Sequence, residues 1–233
     1  MANFQTHLSY AAAASGLLSV LCLQIGLVDQ RDAFNLAMLG TIGGILPDVD
    51  LQRSYPSRIL FSLLGMFLAF LMVFSLENEL SILELWLVGL GTYLTIRYPI
   101  WYIFHQHATH RGSTHSLLSA TLAAFTTAAM SYHLLQKDSL TAWLLALLMF
   151  LGFILHLLLD EFYSVDFMNY RLKRSFGSAL KICDTRKPYK TLLLIALTGI
   201  AWLATPDSKD FFDILLSHQT WQIILSRFFP SVN

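Results

Sequence analysis

Residues 141–160 read TAWLLALLMFLGFILHLLLD, and His156 and Asp160 at the carboxyl end are the only side chains in this stretch that ionise. A helix needs about 20 mostly apolar residues to cross the hydrocarbon core of a bilayer, so the stretch predicts a transmembrane helix. Of all 233 residues, 55% are hydrophobic and 13% are charged, against about 25% charged in soluble domains. The mean hydropathy is +0.57. The composition is that of an integral membrane protein.

Other apolar stretches predict further spans, at about residues 8–28, 33–47, 58–76, 82–104, 117–135 and 188–205. Two of them, 33–47 and 188–205, are short. Residues 33–47 are rich in glycine and end at Pro47, so the segment either spans fully or forms a re-entrant or tilted segment. No Lys or Arg precedes the first apolar run, which favours a retained helix over a cleaved signal peptide.

The predicted fold is all-α: a polytopic membrane bundle of about seven helices, two of them short, followed by a C-terminal amphipathic helix. No internal repeat or linker is visible, so we interpret residues 1–233 as a single integral membrane domain. Its predicted parts are a core region at 6–160, a basic loop at 161–190, and the last helix with the amphipathic tail at 188–233.

Basic residues predict the orientation, because cytoplasmic loops carry an excess of Lys and Arg. The loop 161–190 holds seven of them and is therefore placed inside. Seven alternating spans then put ten basic residues inside and four outside, with Arg97 within a predicted span. The amino terminus is predicted to be cytoplasmic and the carboxyl terminus outside. The formal net charge is zero, which gives no case for a nucleic-acid partner.

This topology gathers histidines and carboxylates at the cytoplasmic face, where ionisable residues at the membrane edge are functional by default. The predicted metal ligands are His7, Asp48, Asp50, His110, His115, His156 and Asp160. His105 and His107 are interpreted as supporting or surface residues, and His133 and His218 fall on the far side.

Local spacing supports several of these pairs. His156 and Asp160 are four residues apart and share one side of a helix. Pro47 predicts that the chain leaves its helix there, and in an extended segment Asp48 and Asp50 face the same way. Gly112 permits a turn between two of the histidines, with Ser113 or Thr114 as the expected N-cap of the next helix.

Nitrogen and oxygen donors of this kind suit zinc, manganese or iron, and zinc is the metal that we expect. Seven ligands are more than one catalytic ion needs, so the alternative of two ions stays open. Cys22 and Cys183 form neither a C-x-x-C pair nor a disulfide framework, which excludes a thiolate site.

Four motifs resemble those of a known family. THLSYAAAASG at 6–16, GGILPDVDLQRS at 43–54, HRGSTHSLL at 110–118 and HLLLDEF at 156–162 are similar, in order and spacing, to the motifs of the YdjM-like membrane-bound metal-dependent hydrolases, the family of domain of unknown function 457. The resemblance implies a bacterial inner membrane protein with hydrolase activity. It places the motif polar residues on the seven predicted ligands and on Arg111 and Thr114. One departure is that many members carry D-x-x-T-x-x-G where this chain reads DEFYSVDF.

The leading hypothesis is a metal-dependent hydrolase at the cytoplasmic face, acting on a lipid or phosphoester. Arg111 is expected to stabilise a developing anion, or else to pair with Asp48 or Asp50. Glu161 is a candidate general base, or else a solvated carboxylate at a helix end.

Thr114, Lys173 and Arg174 are the candidate substrate-binding residues. The basic residues of the loop either attract anionic membrane lipids or only keep the loop on the cytoplasmic side of the membrane. The rival functions are a divalent-ion or proton transporter and a non-enzymatic scaffold stabilised by metal. The sequence leaves the oligomeric state open.

Overall fold

The computed structural model describes residues 3–50, 54–107, 114–166, 171–172, 181–183 and 188–228. Ten α-helices occupy most of this part of the chain: α1 (Phe4–Gln24), α2 (Gln30–Gly43), α3 (Tyr55–Ser75), α4 (Ile82–Thr95), α5 (Trp101–His107), α6 (Leu117–His133), α7 (Ser139–Phe162), α8 (Pro188–Leu203), α9 (Lys209–Leu216) and α10 (His218–Phe228). Two short strands, β1 (Val165–Asp166) and β2 (Arg171–Leu172), pair antiparallel. The prediction of an all-α fold is confirmed.

The chain packs as two compact units. The large unit consists of Met1–Pro47 with Ser113–Asn233, and the small unit consists of Asp48–Gly112. The interpretation of the whole chain as one domain stays a prediction.

Within the described residues, α1, α3 and α7 are long and apolar enough to cross a membrane, and α8 is a shorter apolar helix. Helix α2 has 14 residues, a length of about 21 Å, which is shorter than the roughly 30 Å hydrocarbon core. This length agrees with a re-entrant or tilted segment, one of the two alternatives that the sequence left open for residues 33–47. The total of seven crossings stays a prediction.

Large apolar side chains cover the outer surfaces of several helices. Phe67 on α3 is 61% exposed, Trp86 on α4 is 71% exposed and Leu203 on α8 is 79% exposed. Monomeric soluble proteins rarely expose continuous apolar surface of this kind. These surfaces are suited to contact with lipid.

Helix α7 is the centre of the large unit and packs against α1, α2, α6 and α9. Its contact with α2 is close enough for the two backbones to touch. A Cβ atom at Gly152 would collide with the carbonyl oxygen of Gly40, and one at Gly43 would collide with that of Met149. Small residues permit this kind of approach between membrane helices. The approach sets the position of the α2 carboxyl end along α7.

The small unit is built on the packing of α3 against α4. Ser54 caps α3 by accepting a hydrogen bond from the Ser57 amide. Helix α4 runs through a π-helical segment, Ile96–Ile100, into α5. Pro99 lies inside this segment. Because proline lacks the N–H that the α-helical ladder needs, the wider π turn is the local adjustment that keeps the path helical.

Two local predictions are wrong. Residues Leu46–Asp50 form a 3-10 helix rather than an extended segment, because the fixed φ of Pro47 also fits the first turn of a helix. The N-cap of α6 is Ser116, which accepts from the Ser119 amide, and neither Ser113 nor Thr114 has this role. The C-terminal tail is helical as predicted, and it forms two helices, α9 and α10, separated by Ser217 in an extended conformation.

Candidate metal centre

Three predicted ligands meet inside the large unit. His7 lies in the first turn of α1, and His156 and Asp160 lie one turn apart near the end of α7. One ligand atom from each lies within 4.8 Å of the others. His7 and His156 are each 1% exposed and Asp160 is 0% exposed, so the cluster is closed to bulk solvent. We call these three residues the His–His–Asp cluster.

The orientation of His156 is fixed by the carboxyl end of α2. Its Nδ1 lies 2.8 Å from the Gly44 carbonyl oxygen. A carbonyl only accepts, so Nδ1 carries the proton and the neutral ring keeps its lone pair on Nε2. Metal-binding histidines commonly donate their second ring N–H in this way, which fixes tautomer and ring orientation.

His7 is held between the other two members of the cluster. Its Nε2 lies 3.4 Å from Asp160 Oδ1, and its ring stacks on that of His156, with the centroids 3.7 Å apart and the planes 16° from parallel. Two positive rings at this distance would repel each other, so the stack suits neutral imidazoles, the form that binds metals. Nδ1 of His7 is buried and has no hydrogen-bond partner among the described residues.

His115 extends the cluster on the α6 side. It is 0% exposed, and its ring contacts that of His156 edge to face, with the centroids 5.5 Å apart. Two residues of the basic loop contact the start of α6, because the amides of Leu117 and Leu118 donate to the carbonyls of Lys181 and Ile182 at 2.9 and 3.1 Å. The amide groups of the first two residues of α6 therefore already donate hydrogen bonds to backbone carbonyls of the chain.

The donor set fits a divalent cation. Two neutral imidazoles and a carboxylate are the ligands of open zinc sites, which bind the metal through three side chains and leave a position for water or substrate. A buried carboxylate is stable only with compensating charge or hydrogen bonds, and a divalent cation would supply charge at Asp160. The buried Nδ1 of His7 and the fixed tautomer of His156 are also consistent with binding of a divalent cation.

Comparison with known proteins supports the membrane assignment. A model of the YdjM inner membrane protein family matches residues 1–209. The chain belongs to the YdjM inner membrane protein family. Neither the curated proteins nor the solved structures gave a match. The predicted family and the inner-membrane location are confirmed, and the orientation of the two termini stays a prediction.

Apart from His115, the other predicted ligands of this YdjM family member either belong to the small unit or have side chains outside the described residues. Asp48 is buried and belongs to the small unit, where its carbonyl oxygen accepts from the Ser54 hydroxyl at 2.7 Å. The backbone of Asp50 closes the 3-10 helix, and its side chain lies outside the described residues, as does the whole of His110. The ligand role of these three residues stays a prediction.

The predicted catalytic and substrate-binding residues are only partly described. Thr114 and Glu161 are half-buried, next in sequence to His115 and Asp160. Ser164 is buried, and its hydroxyl donates to the Glu161 carbonyl at 2.6 Å, so the chain turns just after α7. Arg111, Lys173 and Arg174 lie outside the described residues. The roles of all five predicted residues stay predictions.

Sequence reasoning missed the role of Gly44. Its contribution is a backbone carbonyl, and its partner lies 112 residues away. The available signal is the pair Gly43–Gly44, which precedes the 3-10 helix Leu46–Asp50 by one residue, because adjacent glycines at a helix end permit close approach to another helix.

His105 also has more partners than a surface residue would have. Its Nδ1 lies 2.7 Å from the Trp101 carbonyl oxygen, and its Nε2 lies 3.0 Å from Ser57 Oγ and 3.1 Å from the Val49 carbonyl oxygen. Within the small unit these contacts attach the 3-10 helix to α5. His105 therefore stabilises the small unit, and its role as a residue that supports metal ligands stays a prediction.

Proposed function

We propose that the chain is a membrane-embedded metal-dependent hydrolase whose divalent ion is bound by His7, His156 and Asp160. The observation that carries the proposal is the buried His–His–Asp cluster, with its donor atoms within 4.8 Å of one another. When bound, the ion acts as a Lewis acid and lowers the pKa of a coordinated water toward neutrality. Zinc is the ion that we expect, with manganese and iron as alternatives.

The reaction is hydrolysis of an ester or phosphoester. The oxygen of one water forms a bond to the carbonyl carbon or phosphorus, the bond to the leaving oxygen breaks, and a proton passes to that oxygen. His156 is held in one tautomer by Gly44, and the stacked His7 ring fixes the geometry beside it. Glu161 follows Asp160 directly and is the proposed proton acceptor, and Arg111 is the proposed partner of the developing anion.

The position of the cluster favours a hydrolase over a carrier. His7 lies in the first turn of α1 and Asp160 lies in the last turn of α7. Binding sites of carriers lie near the middle of the bilayer, at broken helices. A cluster at helix ends is placed where a substrate can enter from the membrane edge.

The test is an activity assay on the purified full chain in lipid nanodiscs. Metal is removed with a chelator and restored as zinc, manganese or iron, and the protein is assayed with lipid and soluble esters and phosphoesters. We expect turnover that depends on metal, and a loss of about 100-fold or more in His156→Ala, as when a group central to catalysis is removed. His218→Ala is the matched control, because His218 is an exposed histidine whose Nε2 contacts Gln222.

Two outcomes would contradict the proposal in favour of its rivals. Metal-dependent flux across vesicles without turnover would indicate a transporter. Bound metal that changes the thermal stability and supports no turnover would indicate a scaffold.

A further inference from the structure

One arginine lies inside a helical path of the small unit that is long enough to cross a membrane. Helix α4, the π-helical segment and α5 follow one another without a break, with 14, 5 and 7 residues, and together rise about 39 Å at 1.5 Å per residue. Arg97 lies in the π-helical segment, and no other residue from 85 to 104 is Asp, Glu, Lys, Arg or His. A charge among apolar residues at membrane depth is costly unless a partner compensates it.

No acidic side chain in the described part of the chain pairs with this arginine. The Arg97 guanidinium lies 5.4 Å from the centre of the Tyr98 ring, a cation–π contact, and takes part in no ion pair or hydrogen bond among the described residues. The glutamates of the small unit, Glu77, Glu79 and Glu84, lie at its other end, where α4 follows α3. The N–H donors of the guanidinium therefore suit an anion from outside this part of the protein.

Exposed aromatic side chains mark the end of the small unit where α3 begins. Tyr98, Tyr102 and, in the first turn of α3, Tyr55 are each more than half exposed. Trp101 donates from Nε1 to Ser57 Oγ at 2.9 Å, which holds the start of α5 beside the start of α3. Because Tyr and Trp collect at the membrane–water interface, these helix starts are expected at the level of the lipid headgroups.

Two arginines are close enough to this level to meet a headgroup. Arg97 precedes Trp101 by one helical turn, about 6 Å along the axis, and arginine extends its charged group to the interface along an apolar stem. Arg58 follows Ser57 directly, is exposed, and likewise has no ion pair among the residues that the structure describes. The planar guanidinium matches the oxygens of a phosphate, and basic residues beside membrane helices attract anionic headgroups.

We propose that Arg97, together with Arg58, binds the phosphate headgroup of an anionic phospholipid at this end of the small unit. Two positive charges without an acidic partner prefer a headgroup with net negative charge over a zwitterionic one. Neither arginine belongs to the His–His–Asp cluster, so the inference does not depend on the proposed hydrolase function. The lipid is a partner of the small unit and not a substrate of the hydrolase.

The test is retention of lipid by the purified full chain, measured by native mass spectrometry from micelles that contain equal amounts of phosphatidylglycerol and phosphatidylcholine. Arg31→Gln is the matched control, because Arg31 is an exposed arginine at the start of α2 in the large unit. We expect wild type and control to retain phosphatidylglycerol preferentially. Arg97→Gln should lower this preference about tenfold, the effect of removing a charged hydrogen-bond partner, and Arg58→Gln should lower it several-fold.

Equal retention of the two lipids by wild type, or an unchanged preference in both variants, would overturn the proposal. Displacement of phosphatidylglycerol by inorganic phosphate would indicate a site for a soluble anion. A wild-type dimer that dissociates in Arg97→Gln, without preference between the lipids, would indicate a carboxylate of a second copy, and either result would also overturn it. Circular dichroism checks the folding of each variant. Since Arg58 lies on the surface, Arg58→Gln keeps the test decisive if Arg97→Gln does not fold.

Discussion

The orientation of the His156 ring depends on a backbone carbonyl and not on another side chain. The Gly44 carbonyl accepts from Nδ1 at 2.8 Å, which leaves Nε2 as the atom with the lone pair. The sequence predicted His156 and Asp160 as neighbours, because four residues on a helix bring two side chains to one side. It could not predict the tautomer, since that depends on a backbone atom of another helix.

Asp138 is the N-cap of α7, and its substitution tests how much this one residue stabilises the helix. Its carboxylate accepts from the Thr141 amide at 2.9 Å. Partial burial acts to raise the pKa of Asp138, but hydrogen bonds from Thr141 outweigh it and hold this pKa below its ordinary value. We expect Asp138→Ala to lower the free energy of unfolding by about 1 kcal/mol near neutral pH.

The pH dependence of this effect has a definite sign. A carboxyl whose pKa is lower in the folded state stabilises that state above its unfolded pKa, which is about 4. This contribution is lost as the pH falls through the lowered native value. Unfolding of wild type and Asp138→Ala in detergent should therefore differ near neutral pH and converge in acid. A difference that stays constant with pH would contradict this assignment, and Asp138→Asn, which keeps the cap without the charge, is the control.

At the scale of elements, the contact of α2 with α7 determines whether Gly44 reaches His156. Gly152→Ala is expected to destabilise the fold by about 1–3 kcal/mol, because its new Cβ collides with the Gly40 carbonyl, a backbone atom that cannot rotate away. The same substitution should weaken metal binding, since it moves α2 away from α7. Thermal unfolding and metal titration of the variant measure the two effects.

Gly16→Ala is the control for that substitution. A Cβ at Gly16 meets nothing within 4 Å, and alanine is preferred over glycine in a helix by up to about 1 kcal/mol. We therefore expect unchanged or slightly higher stability. If both variants lose stability equally, the close contact of α2 with α7 is not what the substitution disturbs.

The helices were predictable from composition, and their irregular joints were not. Apolar runs of about 20 residues gave the position of α7 to within two residues at each end. Pro47 was harder to interpret, because proline ends a helix in one context and starts one in another. The outcome depends on packing, and the sequence alone led to an extended segment at residues 46–50 that is a 3-10 helix.

At the scale of the whole molecule, the predicted orientation can be tested with reporter fusions. A reporter after residue 190 should behave as cytoplasmic, because the loop 161–190 carries seven basic residues and such loops stay inside. A reporter after residue 136, between α6 and α7, should behave as periplasmic. The reverse pattern would contradict the predicted topology.

The convergence of distant motifs is the part of the site that the sequence predicted from topology. An alternating arrangement places the start of α1 and the end of α7 at one face, and His7 and Asp160 indeed lie 3.4 Å apart. Which of the seven predicted ligands share one ion could not be predicted, because that depends on helix rotation and on distances of a few ångströms.

The most direct test of the central claim is the metal content of the purified full chain. After incubation with zinc and removal of excess, wild type and His218→Ala should each retain about one to two ions per chain, the number that one or two catalytic sites hold. A triple variant, His7→Ala, His156→Ala and Asp160→Ala, should retain none while remaining folded by circular dichroism. Wild type without stoichiometric metal, or a triple variant that binds as much as wild type, would contradict the account.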